Sequence, residues 1–151
     1  MSLNVKYVQT NLKAQDWRKL AEFYKKVFGC AAVPPERDFK GADLEAGTGI
    51  HGAHLTGVHL RLPGYGDEGP TLEIFNYNIL EEKPETAVNR PGYGHIAFQV
   101  DDVEKAKKLV LENGGREIGK IVTLETSAGK KVTWCYLADP EGNAIELQRW
   151  E

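Results

Sequence analysis

The chain has 151 residues, a length typical of one domain with its own hydrophobic core. Hydrophobic residues make up 41% and charged residues 27%, and the net charge of −3 lacks the basic excess of nucleic-acid-binding proteins. No apolar run is long enough to span a bilayer, and the first residues lack a signal-peptide pattern. We therefore expect no nucleic-acid partner, no membrane partner, and a cytoplasmic location in which Cys30 and Cys135 stay reduced.

The first half of the chain predicts a strand, a helix and then three strands. Alternation of apolar and polar residues predicts the first strand. Asp16 then begins a helix whose apolar residues recur at helical spacing, and Gly29 ends it. The polar, glycine-bearing segment 36–53 predicts a long loop, which we interpret as a lid over a site. The predicted strands of this half are 5–12, 31–35, 57–62 and 71–75.

The second half predicts the same order of elements. Asp102 begins a helix that the Gly114–Gly115 pair ends, and the turn-forming sequence DPEGN joins the last two strands. The predicted strands of this half are 95–100, 121–126, 132–138 and 144–149. Neither half alone buries both faces of its sheet well, so we expect the two copies to pack together.

This repeat predicts an α+β fold of two βαβββ modules in tandem. The modules are residues 1–80 and 92–151, and the proline-containing segment 81–91 is the linker. We expect a single domain in which curved mixed sheets form a cup with the helices outside. The linker length permits the modules to pair within one chain or to be exchanged between the chains of a dimer.

Four polar residues face away from the apolar side of their predicted strands, one from the first and one from the last strand of each module. Successive strand residues point to opposite faces, and the helices must cover the apolar faces. The four polar side chains therefore lie on the uncovered face, which would line the cup. They are Gln9, Glu73, His95 and Glu146.

A solvated sheet face carries glutamine, glutamate and histidine freely, so any one of these residues alone is more often an ordinary surface residue. The set is more informative, because two carboxylates in a concave site repel each other unless a cation joins them. Three oxygens and one nitrogen suit an octahedral divalent metal ion with water in the remaining positions. The pattern therefore favours a metal site.

The chain resembles the vicinal oxygen chelate superfamily, which includes glyoxalase I, extradiol dioxygenases, epimerases and bleomycin resistance proteins. The matching segments are QTNLKAQDWRKLAEFYKKVFG, PTLEIF, GYGHIAFQVDDV and LADPEGNAIEL. The resemblance spans nearly the whole chain and implies paired βαβββ modules. Glyoxalase I has the most similar ligand set, which implies one divalent ion, with zinc, nickel or cobalt expected before iron or manganese. The implied metal ligands are Gln9, Glu73, His95 and Glu146.

The same resemblance implies a reaction. Glyoxalase I isomerises the hemithioacetal of methylglyoxal and glutathione to a thioester, and its divalent metal stabilises an enediolate. By resemblance, Glu146 is the base that moves a proton between neighbouring carbons, and Glu73 is the second candidate for that role. We therefore expect a metal-dependent lyase or isomerase, similar to lactoylglutathione lyase, that acts on a small-molecule substrate.

The residues that bind glutathione in glyoxalase I are only partly matched. Lys13 stands where an arginine is expected and keeps the charge without the bidentate fork. Tyr77 stands where an asparagine is expected, although Asn76 is adjacent, and Arg90 lies close to its expected place. We therefore expect glutathione itself to bind poorly. The candidate substrate-binding residues are Lys13, His59, Asn76, Tyr77, Arg90 and Trp134.

Other functions fit parts of the same pattern. An extradiol-type dioxygenase needs two histidines and a carboxylate on iron, and Gln9 argues against it unless His59 takes part. His59 faces the same side as Glu73, although a locally hydrogen-bonded strand residue is the simpler interpretation. An acyl-thioester epimerase uses the same enolate chemistry, and a non-enzymatic binding or resistance protein usually lacks the ligands. The superfamily commonly forms homodimers, and we expect one here.

Overall fold

The computed structural model describes residues 2–151, which form two compact units. The first unit ends at Glu82, and the second is Lys83–Glu151. Each unit begins with a strand and a helix and continues with antiparallel strands, so the predicted α+β class is confirmed. The βαβββ order holds apart from a second helix in the first unit and a two-residue strand added in the second. No helix among the described residues is both long enough and apolar enough to cross a membrane.

The first unit contains a four-stranded mixed sheet with the order β1-β4-β3-β2, in which β1 and β4 run parallel. Its elements are β1 (Gln9–Lys13), α1 (Trp17–Phe28), β2 (Ala31–Lys40), α2 (Ala42–Thr48), β3 (His54–Arg61), a 3₁₀ turn (Gly66–Glu68) and β4 (Thr71–Tyr77). Helix α1 packs against β3 and β4. Leu20 and Tyr24 of the helix and Leu72 and Ile74 of β4 are fully buried, so this face is the core of the unit.

The predicted loop at 36–53 is wrong over most of its length. Strand β2 continues to Lys40, and helix α2 follows it. Strand β2 lies at the edge of the sheet and is mostly exposed, so its polar sequence shows no alternation. Its pairing with β3, from Arg37 opposite Gly57 to Lys40 opposite His54, defines the strand instead. Helix α2 buries no side chain and therefore has no apolar periodicity to predict it.

The second unit contains a five-stranded mixed sheet with the order β5-β9-β8-β6, in which β7 also pairs with β8 and β5 runs parallel to β9. Its elements are β5 (His95–Gln99), α3 (Val103–Glu112), β6 (Arg116–Glu117), β7 (Val122–Glu125), β8 (Lys131–Ala138) and β9 (Ala144–Trp150). Helix α3 packs against β8 and β9, and Val110, Ile145 and Leu147 are fully buried. Strand β6 could not be predicted from the sequence, because a two-residue strand is too short to show a period.

The predicted helix starts are confirmed by their capping contacts. The carboxylate of Asp16 accepts the backbone N–H of Lys19 at 3.0 Å, and that of Asp102 accepts the backbone N–H of Lys105 at 3.0 Å. Gly29 ends α1 in the left-handed conformation, with φ of 69°, which glycine adopts without steric cost. The same local chemistry therefore positions the first helix of each unit after its first strand.

The irregular segment at the start of the second unit contacts a turn of the same unit. Lys83 Nζ donates to the backbone oxygen of Glu141 at 3.0 Å and to Oδ1 of Asn143 at 2.7 Å. Thr86 Oγ1 donates to the backbone oxygen of Gly142 at 2.7 Å. These acceptors belong to the DPEGN turn, so residues 83–86 hold the turn that leads into β9.

The two cysteines, Cys30 and Cys135, are buried and form no disulfide. Burial raises the pKa of each thiol to about 11, so both remain protonated thiols at neutral pH. Neither cysteine is therefore a reactive thiolate.

Gly57 of β3 is required for the close approach of Phe75, its cross-strand partner in β4. A Cβ at Gly57 would collide with the carbonyl oxygen of Ile74 and with the ring of Phe75. We predict that Gly57→Ala lowers the free energy of unfolding by about 1–3 kcal/mol, the usual cost of overpacking. Urea unfolding followed by circular dichroism measures the change.

The matched control is Gly47→Ala. Gly47 lies within α2, and a Cβ there would have open space around it. Alanine favours the helix over glycine, so this variant should be as stable as the wild type or slightly more stable. Equal unfolding free energies for the two variants would contradict the steric role of Gly57.

Candidate active site

In the first unit, three polar side chains meet on the sheet face opposite α1. Pairing places Asn11 of β1 and His59 of β3 directly beside Glu73 of β4. Asn11 Nδ2 donates to Glu73 Oε1 at 2.7 Å, and His59 Nε2 lies 2.8 Å from Glu73 Oε2. Glu73 is 9% exposed, so its carboxylate has exchanged most of its water for these two partners.

Burial favours the neutral form of His59. Burial lowers the pKa of its imidazole; the nearby Glu73 carboxylate opposes this effect, and the Arg37 cation adds to it. A neutral imidazole has one N–H, and the nitrogen that faces an acceptor-only carboxylate must carry it. His59 therefore donates Nε2–H to Glu73, while the edge of the Phe75 ring packs against the imidazole with centroids 5.8 Å apart.

In the second unit, His95 and Glu146 form a close pair on the equivalent face. His95 Nε2 lies 2.8 Å from Glu146 Oε2, and the side chains are 31% and 16% exposed. The ring of Tyr136, the cross-strand neighbour of Glu146, lies with its centroid 5.0 Å from that of His95. The Trp134 ring lies 4.9 Å from the Tyr136 ring. Two aromatic side chains thus border the histidine–carboxylate pair.

The two units place their candidate ligands in the same register. Gln9 pairs with Thr71, two residues before Glu73. His95 pairs with Ala144, two residues before Glu146. The side chain of Gln9 is exposed on the same face as Glu73. Gln9 and His95 are therefore equivalent in register, and so are Glu73 and Glu146.

The neighbours of the two carboxylates are not equivalent. The position of Asn11 in the first unit corresponds to Ala97 in the second, because these residues pair with Glu73 and Glu146 respectively. The position of His59 likewise corresponds to Tyr136. Sequence reasoning missed the role of Asn11, although its place two residues after Gln9 puts it on the same face of the strand.

The other predicted site residues of the first unit are divided between the two sheet faces. Lys13 pairs with Phe75 and Tyr77 follows two residues later in β4, so both lie on the face of Glu73. Asn76 lies on the opposite face. Its Nδ2 donates to the backbone oxygen of Ala14 at 2.8 Å and holds the connection that leads into α1. Asn76 is therefore not grouped with the candidate ligands, because strand alternation turns it towards the helix.

In the second unit, Trp134 pairs with Gln148 and shares the face of Glu146. Arg90 lies in the irregular segment before β5, where its Nη2 donates to the backbone oxygen of Glu85 at 2.6 Å. The guanidinium group is exposed and keeps further donors that this contact does not use.

The donor chemistry of these residues fits a divalent metal ion. Ligand atoms at neighbouring corners of an octahedron with bonds of about 2.1 Å lie about 3.0 Å apart. The 2.8 Å between His95 Nε2 and Glu146 Oε2 is close to that separation. The His59 contact with Glu73 is the kind of outer hydrogen bond that orients a ligating carboxylate. Among residues 2–151, no group of three or more His, Cys, Asp or Glu side chains is arranged so that it could hold a metal ion.

Comparison with known proteins identifies the family. The model of the Glyoxalase/Bleomycin resistance protein/Dioxygenase superfamily matches residues 6–147. The chain belongs to this superfamily. The match covers both βαβββ units and all four candidate ligands, and it confirms the family predicted from the sequence.

Relatives within the glyoxalase superfamily include named lyases. The chain is 27% identical over 147 residues to the lactoylglutathione lyase of Escherichia coli O157:H7, covering 95% of this chain and 91% of that protein. It is 29% identical over 149 residues to a probable lactoylglutathione lyase of Vibrio cholerae, covering 95% and 90%. The crystal structure of a glyoxalase family protein from Bacillus cereus matches the fold with a TM-score of 0.76 at 18% identity, over 99% of this chain and 95% of that one.

Proposed function

We propose that the protein is a divalent-metal-dependent lyase or isomerase of glyoxalase I type that acts on a small-molecule substrate as a homodimer. The observation that carries the proposal is the His95–Glu146 pair at 2.8 Å, which occupies the register position that Gln9 and Glu73 occupy in the first unit. The relatives named lactoylglutathione lyase support a lyase in preference to a binding protein.

We propose that four side chains hold the ion, with zinc, nickel or cobalt expected before iron or manganese. When bound, the ion would supply positive charge that stabilises negative charge developing on adjacent substrate oxygens. The proposed ligands are Gln9, Glu73, His95 and Glu146. They include three oxygen donors and one imidazole nitrogen, a set that suits octahedral divalent ions.

The protein's own residues then have separable tasks. Glu146 takes a proton from a substrate carbon and returns it to the neighbouring carbon, so the overall reaction is an isomerisation without net proton release. Trp134 and Tyr136 border the His95–Glu146 pair and limit the access of water to it. Glu73 keeps its orientation through its contacts with Asn11 and His59.

The metal proposal predicts the effect of His95→Ala. This variant removes the imidazole nitrogen donor, and we expect divalent-metal affinity to fall at least about 10-fold while the fold persists, because the apolar core lies on the other face of the sheet. Elemental analysis of protein purified without chelating resin measures the metal. The control is His51→Ala, whose side chain is 99% exposed. Unchanged metal content in His95→Ala would overturn the ligand assignment.

The mechanistic proposal predicts the effect of Glu146→Gln. Glutamine keeps an oxygen donor of similar shape but cannot accept a proton as a base. We expect native unfolding behaviour and substantial metal retention, with a loss of at least ~10²-fold in kcat. Glu125→Gln, at an exposed position of β7, is the matched control and should keep full activity. Near-normal turnover of metal-loaded Glu146→Gln would transfer the base role to Glu73.

The specificity proposal concerns glutathione. Lys13 and Tyr77 lie on the face of Glu73 where the family's arginine and asparagine are expected. We predict a kcat/KM below ~10⁴ M⁻¹s⁻¹ for the glutathione hemithioacetal of methylglyoxal. Lys13→Arg should raise it by restoring a bidentate donor, while Lys40→Arg, at the exposed end of β2, should not. A wild-type value above that limit would show that Lys13 and Tyr77 suffice for glutathione.

A screen of related substrates separates the remaining activities of the superfamily. Hemithioacetals of other thiols test the lyase, acyl-thioesters test an epimerase, and catechols with iron-loaded protein test an extradiol dioxygenase. Turnover of a catechol with consumption of oxygen would replace the lyase proposal.

A further inference from the structure

We propose that residues 87–94 form a mobile loop on a fixed base, and that closure of this loop over bound substrate brings Tyr93 onto the His95–Glu146 pair. Tyr93 is then a further substrate-contacting residue of the site. The inference rests on the proposed function, because it adds a covering residue to the site proposed there. Every residue that it involves belongs to the second unit.

Both ends of the loop are attached to the DPEGN turn or to the residue that follows it. At one end, Thr86 Oγ1 donates to the backbone oxygen of Gly142 at 2.7 Å. At the other end, His95 pairs with Ala144. Gly142 and Ala144 are two residues apart, so the two points of attachment are separated by at most about 7 Å. Residues 87–94 therefore form a compact surface loop of the Ω type, a class that is frequently functional.

The base of the loop is fixed by contacts of buried or charged groups. Asp139 is 1% exposed, and its Oδ1 accepts the backbone N–H of Asn143 at 2.9 Å. Lys83 Nζ donates to Oδ1 of Asn143 at 2.7 Å. Arg116 Nη2 donates to Thr86 Oγ1 at 3.1 Å, so the same hydroxyl group is held from two sides. Hydrogen bonds that involve charged groups are stronger than neutral ones, and these contacts keep the base in one arrangement.

The loop itself has few attachments. Residues 87–94 are all exposed, and among residues 2–151 no backbone hydrogen bond outside the helices and strands involves them. Arg90 Nη2 donates to the backbone oxygen of Glu85 at 2.6 Å, which is a contact at the surface. Gly92 has a φ of 110°, and a Cβ there would meet nothing within 4 Å. A segment with few buried contacts and an exposed backbone moves at a low cost in free energy.

Tyr93 is placed to cover the histidine. It precedes His95 by two residues, the separation that puts side chains on the same side of an extended chain. The Tyr93 side chain is fully exposed, whereas the Tyr136 ring lies against His95 with centroids 5.0 Å apart. The His95 side chain is still 31% exposed. Closure of the loop would place a second aromatic ring over that exposed part.

Closure of the loop suits the proposed reaction. A proton that moves between two substrate carbons is lost to bulk water if the site is open, and a covering ring excludes that water. Without substrate, the Tyr93 ring has no apolar surface to pack against over the pair, so the open arrangement is retained. Bound substrate supplies that surface and favours the closed arrangement through burial of the ring.

Amide hydrogen exchange of the metal-free protein, followed by NMR, tests the mobility of the loop without any ligand. We expect the amides of residues 87–94 to exchange at least roughly 100-fold faster than those of Gly142 and Asn143, which donate to Asp139. Thr86→Val removes the hydroxyl contacts at similar volume and should speed exchange in the turn. Protection of residues 87–94 equal to that of the turn would overturn the mobile loop.

A second measurement tests closure with Co²⁺-loaded protein and acetohydroxamate, whose adjacent oxygens resemble those of an enediolate. The visible absorption of Co²⁺ reports whether the hydroxamate is bound. We expect bound hydroxamate to slow exchange of residues 87–94 at least about 5-fold. Tyr93→Ala should weaken hydroxamate binding roughly 10-fold and abolish this protection. The matched control is Tyr65→Ala, which removes an exposed tyrosine ring from a turn of the first unit and should leave both properties unchanged.

The outcomes separate this inference from the proposed function. Bound hydroxamate with unchanged exchange at residues 87–94, or wild-type hydroxamate affinity in Tyr93→Ala, would overturn closure by Tyr93 and leave the proposed metal site intact. Absence of Co²⁺ binding by the wild-type protein would overturn the proposed function and the role of Tyr93 that rests on it, whatever the metal-free exchange of the loop shows.

Discussion

Each unit of this protein has one sheet face that a helix covers, and strand alternation therefore determines which face Gln9, Glu73, His95 and Glu146 occupy. Leu72 and Ile74 of β4 are fully buried on the face that α1 covers, and this turns Glu73, which lies between them, to the open face. Ile145 and Leu147 do the same for Glu146 in the second unit. The energy that drives the polar groups into place thus comes from burial of their apolar neighbours.

The pairing register adds a second level of positioning. Parallel pairing of β1 with β4 and of β5 with β9 places Gln9 and His95 two residues away from the cross-strand partners of Glu73 and Glu146. A slip of one residue in either pair would reverse which side chains reach the open face. The Asp16 cap fixes the start of α1, and residues 83–86 hold the DPEGN turn that precedes β9. Both contacts help to keep the strand registers, because they fix the ends of neighbouring elements.

Much of this arrangement could be predicted from the sequence, because it depends on local patterns. The two modules follow from repeated helix caps and turns, and the open face of Glu73 follows from its apolar neighbours. Strand β2 beyond residue 35 and helix α2 could not be predicted. Both are exposed, so their sequences lack the periodic pattern of apolar residues that a buried face requires. The Asn11 contact with Glu73 could not be predicted either, because the pairing register of two strands that are distant in sequence is not encoded in either strand alone.

Glu73 and Glu146 occupy equivalent positions in a repeated module, yet their neighbours differ. If a protein were built from identical copies of a single module, each copy would surround its carboxylate with the same residues. With two copies, a substitution beside one carboxylate leaves its counterpart unchanged, so the surroundings of the two can diverge independently. The repeat therefore allows neighbours of Glu146 such as Ala97 and Tyr136 to vary in the second unit without changing the contacts of Glu73 in the first.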